Sequence, residues 1–231
     1  MRFILHGGVS LGPSESDAAW YRGDLHGEAL VALHGDRDAS HQMSARAVTR
    51  CREVCAPLLA RQGLRRWVLP VELGLDALAE LQQRRPDDVE TEVFAFGRLP
   101  LAWSARCYTA RSDNLPKDDC RFRCLDHPDG RLLRTREDEE FLVLNGTQTL
   151  SARSHQALDA YADLQRLGVD ALRISPQSDV TLAVLALMDE ARGGGDPHAL
   201  AARLDDLLPG GACTGYLHGR PGMDDGHSHA A

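Results

Sequence analysis

From about Ala45 onward, segments with an apolar period of two alternate with segments of period near 3.6, and this alternation limits the fold more than anything else in the chain. RWVLPVEL (66–73) reads as a buried strand that Pro70 ends or bulges, VETEVFAFG (89–97) as a strand stopped by Gly97, and FLVLNG (141–146) and ALRISP (171–176) as two more. Between and after them LDALAELQQRR (75–85), SHQALDAYADLQRLG (154–168) and TLAVLALMDEAR (181–192) carry helical spacing. Asp196 caps a last helix that Pro197 opens and that runs to Leu208. Val48, Cys51, Cys55, Leu58 and Leu59 form an earlier helical stripe, kinked at Pro57 and stopped by Gly63. Strand–helix–strand order calls for parallel strands joined by right-handed crossovers. A closed barrel of that kind needs eight strands, and only about four stand out. The expected fold class is therefore α/β, a partial TIM-type (β/α) barrel.

The ends are less regular. Residues 1–45 are rich in Gly, Ser, Asp and His, with weak strand signals at 2–5 and 28–33, and read as a poorly ordered leader. Residues 46–223 form the body, and 224–231 a disordered tail. The chain starts with only three consecutive strongly apolar residues, too few for a signal-peptide core, and no run approaches the ~20 residues of a membrane helix. This points to the cytoplasm, where clustered thiols read as metal or catalytic ligands before disulfides. The net charge of −8, with arginines scattered among acids, argues against nucleic acid as a partner.

The stretch 98–124, RLPLAWSARCYTARSDNLPKDDCRFRC, carries the chemistry. Cys120 and Cys124 are four apart, which on a helix opened near Pro116 would place both sulfurs on one face. Asp118 and Asp119 fall near the positive end of such a helix, whose free amides also favour thiolate. Cys107 joins them from just beyond the carboxyl end of strand 89–97, where α/β proteins place their sites. The spacing alone leaves an iron–sulfur cluster, a zinc ion and reduced structural cysteines all open, although the paired Cys-x2-Cys knuckles usual for zinc are missing.

Other residues have plainer readings. Cys51 and Cys55 share a core face, and Cys213 stands apart as a substitute ligand or an ordinary thiol. Glu72 ends a strand, where it could meet a substrate or simply be solvated. Arg98, Arg106 and Arg111 flank the cysteine loop and could balance an anionic group there or only solvate it. His218, His227 and His229 hint at a metal-binding tail, though an HSH terminus is usually inert. No Ser/His/Asp or Cys/His arrangement supports protease chemistry, and Gly193–Gly195 is a linker with no following lysine to make it a phosphate loop.

With their flanking words these cysteines resemble a known family. RWVLPVEL, VETEVFAFGRLPLAWSARCYTAR, LPKDDCRFRCLDHPDGRLL, FLVLNGTQTLSA, LRISPQ and CTGYLHGRPGM, in that order between about Leu58 and Met223, are similar to the UbiV group of the collagenase-like peptidase family. The resemblance implies a barrel protein with a 4Fe-4S cluster, acting in oxygen-independent hydroxylation in ubiquinone biosynthesis and not as a peptidase. It implies Cys107, Cys120 and Cys124 as three of four cluster ligands, a UbiU-like sister protein as partner in a heterodimer, and a lipid-carrier protein of the quinone pathway as a further partner. Family members take their fourth cysteine from a Cys-Ser-Lys-Arg word in the first barrel half, and residues 1–45 contain neither that word nor a cysteine. The chain thus reads as the carboxyl-terminal half of a barrel behind an unmatched leader, whether through a truncated or frame-shifted start or as a genuine short form. In the alternative reading it is a non-catalytic fragment or partner-binding subunit without a competent cluster, or a zinc-stabilised structural module.

Overall fold

The computed structural model describes residues 1–5, 65–208 and 210–224. The helical stripe with Cys51 and Cys55, the strand expected at 28–33, and the histidines at 227 and 229 lie outside these residues. The strands are β1 (Arg2–Leu5), β2 (Arg66–Val68), β3 (Glu90–Trp103), β4 (Arg131–Arg134), β5 (Glu140–Asn145), β6 (Gln148–Gln156), β7 (Ala171–Ile174) and β8 (Ala212–Cys213). The helices are α1 (Leu75–Gln82), α2 (Tyr108–Ser112), α3 (Tyr161–Arg166), α4 (Thr181–Arg192) and α5 (Pro197–Asp205). The fold is mixed α/β, with one sheet curled into a half barrel.

The sheet runs β1-β7-β3-β6-β5-β4, with β2 added to β3 and β8 to β6. Its two halves differ in sense. β1, β7, β3 and β2 are parallel, as the alternation of elements requires. β6, β5 and β4 form an antiparallel meander on the outer half of β3, so the segment at 141–146 is not the parallel strand it was expected to be. β3 does not stop at Gly97 but runs on to Trp103, and the ladder shifts register on either side of Pro100, where the missing N–H would break a regular one.

The helix expected over 154–168 is split. Ser154, His155 and Gln156 pair with Arg98, Gly97 and Phe96, and only Tyr161–Arg166 is helical. Pairing along β3 outweighs a local apolar period that a helix and a buried strand share. β2 ends at Val68; the Leu69 N–H still donates to Glu92 O at 2.8 Å, after which Pro70 has no N–H to offer. α4 matches its predicted range, and α5 begins on an Asp196 side chain that accepts from the His198 N–H.

The helices cover one face of the parallel strands. Leu78, Leu164, Val184, Met188, Leu200 and Leu204 pack with Val93, Phe96, Leu172 and Ile174 in the main core. Phe94, Leu99 and Cys213 form a second, smaller cluster against Val71 and Tyr216. Among the described residues no helix is long and apolar enough to cross a membrane.

Candidate functional site

The outer half of β3 carries the chain to the tip of the β5–β6 hairpin, and the cysteine loop starts there. Ser104 N–H donates to Thr147 O at 2.9 Å and Tyr108 N–H to Gly146 O at 2.7 Å. In return Gly146 N–H donates to Thr109 Oγ1 at 3.2 Å. These bonds seat Cys107 against the hairpin. Cys107 caps α2, and its Sγ accepts from the Ala110 N–H at 3.4 Å. α2 closes when Leu115 N–H donates back to Ala110 O, with Asn114 in the left-handed region.

Cys120 and Cys124 do not share a helix, contrary to the expectation from their spacing. Pro116 caps a 3-10 turn over Lys117–Asp119, and Cys120 ends it. A second 3-10 turn, Arg123–Asp126, contains Cys124. Between them Arg121 and Phe122 have φ of 54° and 48°. Two consecutive left-handed residues cannot continue a right-handed helix, and each costs ~1–2 kcal/mol that the loop must hold by other contacts. The two turns are joined by Arg123 N–H donating to Cys120 O at 3.3 Å, and His127 N–H donates to Cys124 O at 3.1 Å. Asp113, whose carboxyl the Arg131 guanidinium holds below the usual range, ties the end of α2 to the second turn through Arg123.

The flanking arginines divide. Arg106 and Arg111 are exposed, whereas Arg98 is turned inward and donates from Nη1 to the carbonyls of Ser151 and Ala152. Burial lowers the Arg98 pKa, opposed by the charges of Asp129 and Glu140. Cys213 lies fully buried on β8 with its thiol pushed up to about 11 by desolvation, in the cluster with Phe94 and Leu99. Glu72 is exposed in the turn after β2, and its charge helps raise the Tyr216 phenol, behind the larger effect of burial. His218 Nε2 lies 3.3 Å from Asp159 Oδ2.

One group escaped sequence reasoning. His155 is 2% exposed, pairs across the sheet with Gly97 and Cys213, and stacks at 5.7 Å on Phe94. Its signal, an alternating SARSHQ run before the apolar ALD, was legible only by reading this segment as a strand.

As the side chains stand, no three Cys, His, Asp or Glu among the described residues converge to hold a metal ion. The donor set nonetheless suits an iron–sulfur cluster. Cys107, Cys120 and Cys124 are free, half-buried thiols on one loop, and a cluster is a larger object than a single ion, bridging sulfurs that lie farther apart.

Comparison with known proteins places these features in a family. A segment of 47 residues is 45% identical to tRNA hydroxylation protein P of Haemophilus influenzae, covering 20% of this chain and 10% of that protein. The chain thus matches about a tenth of the length of this curated relative. No solved structure matches. The profile of peptidase family U32 matches residues 26–226, which include β2 to β8 and the whole cysteine loop, and the chain belongs to that family.

Proposed function

We propose that this chain is an iron–sulfur protein of oxygen-independent hydroxylation, holding a 4Fe-4S cluster on Cys107, Cys120 and Cys124. The observation that carries the reading is the set of three free thiols on one loop, held against the β5–β6 hairpin at the end of β3. Bound there, a cluster would supply one-electron chemistry. The chain's own part is to present the sulfurs: the Ala110 amide fixes Cys107 at the start of α2, and the two 3-10 turns carry Cys120 and Cys124.

The pathway proposed is ubiquinone biosynthesis, as a UbiV-type protein beside a UbiU-like partner, with a lipid-carrier protein delivering the apolar precursor. The run of sequence words from RWVLPVEL to CTGYLHGRPGM supports it. The fold that goes with it is half of a TIM-type barrel. The parallel pairing of β1, β7, β3 and β2, with helices between them in the chain, supports it. A second reading is tRNA hydroxylation, favoured by the name of the Haemophilus influenzae relative and weakened by the net charge of −8.

Protein purified without oxygen is expected to be brown and to contain iron and sulfide, and Cys120→Ala to lose most of that colour. Colourless protein with one zinc per chain would overturn the cluster. In a respiratory strain grown without oxygen, with this chain or a version with a restored first barrel half in place of the native protein, ubiquinone content and tRNA hydroxylation measured together separate the two pathways. Quinone restored without change in tRNA supports the first; the reverse supports the second.

A further inference from the structure

Beside the three cysteines lies a polar side-chain network to which none of their thiols belongs. Arg131, the first residue of β4, directs both terminal nitrogens at Asp113, Nη1 to Oδ1 at 2.7 Å and Nη2 to Oδ2 at 3.2 Å. Two parallel bonds from a planar guanidinium fix orientation as well as distance, which a lysine ammonium cannot do. Nη1 also donates to Ser112 Oγ at 2.6 Å, and Nη2 lies 3.1 Å from His127 Nε2. Asp113 accepts a second cation, Arg123, through Nε at 3.4 Å, and Arg123 Nη1 reaches Asp126 at 2.7 Å. Isolated surface ion pairs are weak, but here the Arg131 and Asp113 side chains are only 24% and 21% exposed, the pair is bidentate, and it is part of a network.

This network joins the elements that carry the cysteines. Ser112 and Asp113 end the helix that Cys107 begins. Arg123 and Asp126 bound the turn that contains Cys124, and the Arg123 amide holds Cys120 O. His127 donates its amide to Cys124 O while its ring meets Arg131. One carboxylate and one guanidinium therefore set the distance between the Cys107 helix and the Cys120–Cys124 turns.

We propose that Arg131 and Asp113 are the positioning pair of the cysteine loop, holding its three thiols as one set before any metal arrives. The purpose of this device rests on the iron–sulfur reading; its geometry does not.

The test is residue-resolved thiol labelling of the full metal-free chain with an aromatic disulfide reagent, followed by mass spectrometry. Arg131→Gln and Asp113→Asn are each expected to raise labelling rates at Cys107, Cys120 and Cys124 about tenfold, because the loop opens locally more often. Arg131→Lys, which keeps charge but loses the bidentate fork, is expected to fall between, and buried Cys213 to stay protected in every variant. In protein reconstituted with iron and sulfide, Arg131→Gln is expected to bleach in air several-fold faster than wild type. Unchanged labelling at all three loop cysteines in both variants would overturn the proposal, whatever the iron content. Labelling of Cys213 in step with the loop would overturn it too, by showing a general stabiliser. If the loop responds selectively but wild type never takes up iron and sulfide, the positioning pair stands and the cluster reading falls.

Discussion

His155 and Cys213 show how much a residue's chemistry depends on what is packed around it. The two face each other across β6 and β8, next to Phe94. Burial lowers the His155 pKa to about 4, against a smaller opposing effect of the Phe94 carbonyl, and nearby His218 adds to the lowering. An exposed histidine in the unfolded chain titrates near 6.5. Above that pH both states are neutral and no stability is lost. As pH falls from about 6.5 toward 4 the unfolded state takes up the proton first, so stability drops, by about 3 kcal/mol in all for a shift of this size. His155→Gln is expected to flatten this part of the stability–pH profile, measured by urea unfolding at a series of pH values. An unchanged slope would mean that His155 is charged or solvated in the native state.

At the scale of elements, β3 is the member around which the others are arranged. It pairs with β2, β7 and β6 in succession, and it changes neighbours close to Gly97. Gly97 has φ of 129°, and a Cβ there would stand 2.5 Å from Ser175 Cβ and 3.0 Å from Ser175 O. Glycine is required on both counts, since other residues avoid this conformation and the chain after β7 passes too close. Gly97→Ala is expected to lower stability by about 2 kcal/mol or more, read from the midpoint of urea unfolding at constant m-value. A variant as stable as wild type would show that the approach of β7 to β3 relaxes freely.

Across the whole molecule, the parallel half of the sheet is tied together by charge as well as by apolar packing. Glu92 of β3 is 1% exposed and accepts from Arg66 of β2 at 3.3 Å and from Arg173 of β7. Glu90 adds Arg66 at 2.9 Å and Arg2 of β1. One ladder of alternating charge thus spans four strands on the face opposite the main core. Glu92→Ala takes the shared buried carboxylate away from both Arg173 and Arg66, the latter keeping Glu90, and is expected to cost about 3 kcal/mol in urea unfolding. The triple change Glu92→Met, Arg66→Met and Arg173→Leu removes the charges together and is expected to cost less than the single one. A greater loss in the triple variant would mean that the ladder contributes net stability.

The sequence by itself determined the α/β class, the range of α4, the capped start of α5, the left-handed stop at Gly168 and the residues of the cysteine loop, because each is written in local composition. Period, caps, glycine stops and motif words need no partner to be read. Only the tertiary structure decided the rest. The antiparallel sense of β5, the extension of β3 past Gly97 and the strand at Ser154–Gln156 depend on which backbone lies alongside, and a strand's neighbours leave no mark in its own residues. The same holds for the cysteines. Their i, i+4 spacing is local and favours a helix, but Arg121 and Phe122 turn left-handed there. The clamp of Arg131 on Asp113, 18 residues apart in the chain, belongs to a folded loop that no local pattern encodes.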